Sequence, residues 1–226
     1  MNKPGLTFRQ RSIKRSLDLV VSVTLLALTF WLILLAFAIA SLETKSNGFF
    51  TQARVGRNGK LFKIIKIRTM HPKAAFSMRV TASNDPRITR FGRLFRKSKI
   101  DELPQLINVL LGHMSLVGPR PDTPGMVDRL EGRARDILLL RPGITGPSTI
   151  KYRKEELILA EVDDPVSYHR EVLFPDKCRI NLLYLEQYSL IKDLKYMLWT
   201  VFPLLQKEEA IIAAASSLHD INSYFL

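Results

Sequence analysis

Apolar positions are distributed unevenly along the chain. From residue 19 to residue 42 the sequence reads LVVSVTLLALTFWLILLAFAIASL, without a charged side chain. As a helix rising about 1.5 Å per residue, this run is long enough for a hydrocarbon core of about 30 Å. It is too long for the apolar stretch of a signal peptide, and no A-x-A-like cleavage site follows. Beyond it the period changes. Residues 49–68 carry two β-prone stretches around Asn58-Gly59, which predicts a hairpin. On its second strand Ile65 and Ile67 face one side and Lys66 and Arg68 the other, and the phase slip at Ile64-Ile65 predicts a bulge. Residues 86–97 predict a short amphipathic helix with Pro86 in its first turn and Ile88, Phe91, Leu94 and Phe95 on its apolar face.

A further helix is expected from Pro104 through Leu111 to a stop at Gly112, with Asp101 or a near neighbour as its N-cap. Two Gly/Pro loops follow, GPRP at 118–121 and RPGITGP at 141–147, with another helix predicted over 126–140 between them. The remainder to about residue 206 is mainly helical. Its Tyr196 and Trp199, beside Lys192 and Lys195, suit either a membrane interface or a core. The fold class is mixed α/β, mainly α: an N-terminal membrane helix, interfacial amphipathic helices and a small β-hairpin. The divisions are a basic segment at 1–15, a membrane-embedded helix at 16–44, a cytoplasmic catalytic domain at 45–206 and a tail at 207–226.

Charge sharpens this outline. Among 226 residues, 34 Lys and Arg stand against 21 Asp and Glu, a net charge of +13 that calls for an anionic partner. Arg9, Arg11, Lys14 and Arg15 precede the apolar run, and Lys45, Arg54, Arg57, Lys60, Lys63, Lys66 and Arg68 follow it. Basic flanks stay cytoplasmic, so this bias permits a re-entrant segment with both ends on one side. The basic face of 86–97 fits an anionic membrane surface or plain solvent. Cys178 stands alone and the four histidines, at 71, 113, 169 and 219, lack ligand spacing, so no cysteine- or histidine-rich metal site is expected. A P-loop and a G-x-G-x-x-G motif are both absent, which disfavours kinases and dinucleotide enzymes.

Asp101 and Glu102 carry the candidate chemistry. Acids at a helix start are common caps, and Ser98-x-x-Asp101 resembles a capping box. A carboxylate can also attack phosphorus to give an acyl phosphate, and an adjacent pair can hold Mg²⁺ with substrate phosphates. Lys66, Arg68, Arg120 and Arg141 are the cations available to neutralise a diphosphate.

The stretches KRSLDLVVS, FTQARVGRNGKLFKIIKIRTM, DPRITRFGRLFRKSKIDELPQLINVLLGHMSLVGPRP and RPGITGPS together resemble the bacterial sugar transferases, the monotopic phosphoglycosyl transferases, in their small form. The resemblance covers roughly residues 11–148. It implies transfer of a phosphosugar from a UDP-sugar to polyprenyl (undecaprenyl) phosphate, with release of UMP. It further implies a covalent phosphosugar on Asp101, Glu102 as its partner, Mg²⁺ as cofactor, and a re-entrant helix placing the site on the cytoplasmic face of the bacterial inner membrane. The expected partners are the UDP-sugar, the polyprenyl phosphate, bacterial membrane lipid and, in a homodimer, a second copy; nucleic acid is not among them. Where such enzymes often have Ser-Pro in the membrane helix this chain reads Leu28-Thr29-Phe30-Trp31, and His113 and PSTIKYRKEE after RPGITG also depart from the pattern. The sugar is not specified. The competing reading is a non-catalytic membrane-anchored scaffold whose basic face binds anionic lipid or nucleic acid.

Overall fold

The computed structural model describes residues 5–72 and 85–205; the tail expected at 207–226 lies outside them. Helix α1 spans Phe8–Thr44, 37 residues or about 55 Å. It begins at a reciprocal cap. The Thr7 hydroxyl accepts from Gln10 N, and the Gln10 side chain accepts from Thr7 N at 2.8 Å. The basic residues 9–15 thus belong to the same helix as the apolar run. Thr24 and Thr29 donate to Val20 O and Leu25 O within the helix, which runs unbroken.

One face of α1 is covered toward both ends, with no buried residue from 23 to 32. Lys14, Asp18, Ser22, Ile33, Ala36, Ala40 and Thr44 are buried at helical spacing. Only 17% of its most apolar window is buried, so it is not the enclosed core helix of a soluble protein. Val20, Val23, Leu28, Phe30, Trp31 and Leu35 point outward. At the N-terminal end Lys14 Nζ meets Asp193 Oδ2 at 2.5 Å, and the Tyr184 hydroxyl donates to Asp193 Oδ1 at 2.6 Å. Arg15 donates to Val109 O and Leu110 O at the carbonyl end of the next-but-one helix. Asp18 Oδ1 accepts from Leu116 N and the Ser115 hydroxyl. At the other end Phe37 stacks against Phe49 with ring centroids 4.7 Å apart. Ile33, Ala36 and Ala40 pack on Ile67 and Phe95.

Strands β1 (Phe49–Val55) and β2 (Leu61–Ile67) form the expected hairpin, with Asn58 and Gly59 both in the left-handed region. The predicted bulge is absent: partners run one to one from Phe49↔Ile67 to Val55↔Leu61. The slip in hydrophobic phase has another cause. Asn108 reaches the open edge of β2, accepting from Ile65 N and donating to Lys63 O, so residues on both faces there are partly covered.

Helix α2 spans Arg90–Ser98 with Thr89 as its cap, leaving Pro86 outside it. A 3-10 turn, Ile100–Glu102, leads to α3 (Gln105–Leu110) and then β3 (Ser115–Val117). The stretch predicted as a helix at 126–140 forms two 3-10 segments, Val127–Arg129 and Gly132–Leu139, divided at Gly132 with its φ of 52°. Strand β4 (Gly143–Thr145) pairs parallel with β3. Short helices α4 (Pro147–Lys151), α5 (Glu155–Ala160) and α6 (Pro165–Tyr168) lead through one wide turn into α7 (Phe174–Glu186) and α8 (Leu190–Val201). The central core joins Phe62 and Ile64 of the hairpin, Leu106 and Val109 of α3, Leu116 and Val117 of β3, and Tyr184 of α7. Cys178 is buried in a second cluster, where burial pushes its thiol pKa up; it is a packing residue.

The Lys14–Asp193 pair is nearly solvent-free, with side-chain exposures of 9% and 1%. Removing one member leaves a buried charge unpaired, so Lys14→Met is expected to destabilise the fold by about 3–5 kcal/mol. Thermal unfolding in detergent reads this loss, and adding Asp193→Asn to Lys14→Met should recover part of it.

Candidate active site

Helix α2 ends at Lys99, whose φ of 61° turns the chain sharply into the 3-10 turn that carries both acids. The capping expectation does not hold. Ser98 Oγ donates back to Leu94 O and Phe95 O, and Asp101 Oδ1 is buried without a hydrogen-bond partner. Asp101 is 7% exposed, and burial, reinforced by the neighbouring Glu102 charge, pushes its pKa up to about 6. Glu102 is placed oppositely. Its Oε1 accepts from Lys66 Nζ at 3.1 Å and from Arg120 Nη2 at 3.0 Å. Burial opposes its ionisation, but Arg120 and Lys66 outweigh burial and hold its carboxyl well below the usual range. Two adjacent acids therefore differ in kind: one is firmly ionised and clamped, the other is only lightly held in charge and has an oxygen free.

Backbone contact sets the position of Arg120. Gly118 N donates to Thr145 O at 2.8 Å and Gly143 N to Pro119 O at 2.7 Å. A Cβ on Gly143 would lie 2.1 Å from Gly118 N, and one on Gly146 2.2 Å from Gly118 O. The two Gly/Pro loops thus cross with main chain against main chain, and Arg120 leaves that crossing toward Glu102.

Of the four cations expected at the site, the structure brings Lys66 and Arg120 to the acids. Arg68 donates to Asn47 O and Phe49 O at the start of β1. Arg141 donates to Gly112 O beyond the far end of α3. Among the described residues neither makes a hydrogen bond or ion pair with Asp101 or Glu102. Sequence reasoning missed a second polar group on the other side of Arg120. Asp122 is buried, which raises its pKa against the opposing charges of Lys177, Arg54 and His169. Lys177 binds Glu155 at 2.6 Å, and Lys151 and Tyr152 both reach Asp176. Lys151, Tyr152 and Glu155 fall in the stretch where the sequence departs from the family pattern. That departure was the only available signal, because their partners lie 22 to 25 residues further along.

Among the described residues no group of three or more His, Cys, Asp or Glu gathers as a metal cage. The unpartnered Asp101 Oδ1 beside a second carboxylate fits an ion such as Mg²⁺, which takes one or two protein carboxylates and draws its other ligands from water and substrate oxygens. Chemically, a carboxylate with a free oxygen beside cations that bind its neighbour is a group that can attack phosphorus when ionised.

Comparison with known proteins shows what the chain is similar to. The family model described as bacterial sugar transferase matches residues 9–207. The UDP-glucose:undecaprenyl-phosphate glucose-1-phosphate transferase of Caulobacter vibrioides is 37% identical over 205 residues, covering 87% of this chain and 71% of that protein. The exopolysaccharide production protein ExoY of Rhizobium meliloti is 33% identical over 204 residues, covering 83% of each. The undecaprenyl-phosphate glucose phosphotransferase of Komagataeibacter xylinus is 37% identical over 206 residues, but those span 83% of this chain and only 35% of that longer protein. With a family model matched over most of its length and relatives of this identity, the chain belongs to the bacterial sugar transferase family.

Proposed function

We propose that this protein transfers a phosphosugar from a UDP-sugar to undecaprenyl phosphate or a similar polyprenyl phosphate, releasing UMP, at the cytoplasmic face of the bacterial inner membrane. The observation that carries the reading is the buried, unpartnered oxygen of Asp101 beside a Glu102 clamped by Lys66 and Arg120. The names of the relatives support the substrate class: two are undecaprenyl-phosphate glucose transferases, and a Bacillus subtilis relative is a putative N-acetylgalactosaminyl 1-phosphate transferase. Since these names differ in the sugar, the sugar is left unassigned. The long, outward-facing apolar surface of α1 supports membrane attachment.

In the first step an Asp101 oxygen attacks the phosphorus bearing the sugar. The bond from that phosphorus to the bridging oxygen breaks, and UMP leaves with the electron pair. In the second step an oxygen of the polyprenyl phosphate attacks the same phosphorus, and Asp101 departs as a free carboxylate. Lys66 and Arg120 hold Glu102 ionised and supply positive charge beside the diphosphate. Asp101 and Glu102 would hold Mg²⁺, which supplies further charge to the diphosphate when bound. Using one nucleophile twice means that the two large substrates need not be held together.

Three measurements test this reading. Intact mass of the wild type, taken with UDP-sugar and Mg²⁺ but no lipid acceptor, should rise by one phosphosugar. Asp101→Asn should show no adduct and no turnover; an active Asp101→Asn enzyme, or an adduct on another residue, would sink the mechanism.

The cost of keeping a nucleophile ionised in a buried place should be visible in stability. Asp101 has a pKa of about 6 in the fold against 3.8 when unfolded, so the folded state binds the proton more tightly. Stability is therefore lost as pH rises from about 4 to about 6. Without Mg²⁺ at pH 7.5, Asp101→Asn should be more stable than wild type by up to about 3 kcal/mol, and the difference should vanish near pH 4. Thermal unfolding at several pH values checks the sign.

The grouping of cations gives a third test. Arg120→Ala should lower kcat/KM by about 10- to 100-fold, since it removes a charge-assisted contact at the reacting centre. Arg68→Ala, which acts on the start of β1, should change it by less than about threefold. Equal losses in the two variants would contradict the assignment.

A further inference from the structure

At the opposite end of the hairpin from the acids lies a second basic site. A cavity of about 170 Å³ is lined by Arg11, Lys14 and Asp18 of α1, by Arg57 at the hairpin turn and by Arg141. Lys14 is neutralised by Asp193. Asp18 spends Oδ1 on Ser115 and Leu116, and its Oδ2 has no partner. The guanidinium groups of Arg11 and Arg57 have no hydrogen-bond or ion-pair partner among the described residues, and Arg141 donates only to Gly112 O. Even after Asp18 is counted, an excess of positive charge converges on one hollow. Burial, Arg57 and Arg15 all oppose the charge on Arg141, a strain that a bound anion would relieve.

This hollow is not part of the phosphoryl-transfer site. Arg141 is held at Gly112, just past the end of α3, while Glu102 stands before its start; the ten residues between them are almost all helical, which separates the two by about 15 Å. Arg57 also lies away from it, in the turn beyond Leu61, which is itself five residues along β2 from Lys66, about 17 Å. A phosphate seated here cannot be the one attacked by Asp101 or the one that attacks in turn. The cavity does border the apolar run: Asp18 lines it, Leu19 is the next residue, and the half-exposed Leu25 continues the face of Arg11, Lys14 and Asp18 two turns further on.

We infer that this cavity holds the phosphate headgroup of an anionic glycerophospholipid, with its acyl chains along the first turns of the exposed face of α1. The inference rests on the membrane placement of α1 proposed above. A phosphodiester supplies the negative charge that the three arginines lack. The tails continue onto the apolar surface that begins where the cavity ends. The lipid is a bound component of the fold and takes no part in the reaction.

Native mass spectrometry of the full-length protein from neutral detergent, loaded with phosphatidylglycerol, tests it. Arg11→Gln with Arg57→Gln should lower the retained phosphatidylglycerol at least about tenfold, because it removes two charge-assisted contacts. A control pair, Arg9→Gln with Lys60→Gln, removes the same charge from the same two elements outside the cavity and should retain it as wild type does. Neither pair touches the acids, so turnover in neutral detergent should be unchanged in both. Equal loss in the two pairs would reduce the effect to general surface charge and overturn the inference. Displacement of the lipid by millimolar inorganic phosphate would overturn it in favour of a free-anion site. Retention of polyprenyl phosphate but not phosphatidylglycerol would overturn it in favour of an acceptor site. Sedimentation of the wild type with neutral phosphatidylcholine vesicles reports membrane placement separately.

Discussion

Gly118, Gly143 and Gly146 approach one another so closely that no side chain fits between their main chains. Much of the molecule is arranged around that crossing. It aligns β3 with β4, two strands of three residues that could not pair stably alone. Strand β3 then offers Ser115 and Leu116 to Asp18, which fixes the N-terminal half of α1. From the same loops Arg120 extends to Glu102 and Arg141 turns the other way to Gly112. Anchor, acid pair and basic hollow thus share one rigid reference. The prolines beside the glycines remove backbone freedom that such short strands could not themselves restrain.

The acid pair shows how neighbouring groups acquire different tasks. Both carboxylates are shielded from water, and in isolation burial would raise both pKa values. Lys66 and Arg120 hydrogen-bond Glu102 and not Asp101, so Glu102 takes the charge and its charge makes ionisation of Asp101 harder. The result is a carboxylate near its pKa at neutral pH, with one lone-pair-bearing oxygen not committed to any donor.

Local pattern revealed the parts of this fold whose causes are local. The uncharged run, the Asn58-Gly59 turn and the mainly helical C-terminal half were legible because spacing and turn chemistry determine them. The errors arose where a distant residue decides. The hydrophobic slip at Ile64-Ile65 resembles a bulge unless Asn108 is known to cover the strand edge. Asp101 resembles a cap because its spacing from Ser98 is right, yet the left-handed Lys99 redirects the chain first. Of the four candidate cations, pattern could not separate Lys66 and Arg120 from Arg68 and Arg141, since each stands in a similarly basic or proline-rich setting. The polar group around Asp122, Glu155 and Lys177 is assembled from three remote segments and left almost no trace in any one of them.

The pinning of α1 also imposes an order on biosynthesis. Lys14 and the carboxylate that neutralises it are 179 residues apart. At roughly 5–20 residues per second, a ribosome needs about 10 to 35 seconds to cover that distance. During that interval the partners of the helix's C-terminal end, Phe49, Ile67 and Phe95, are made first, while Lys14 still waits for its counter-charge. Closure of the Lys14 end is therefore a late event, and α8, which brings Asp193, is the latch that closes last.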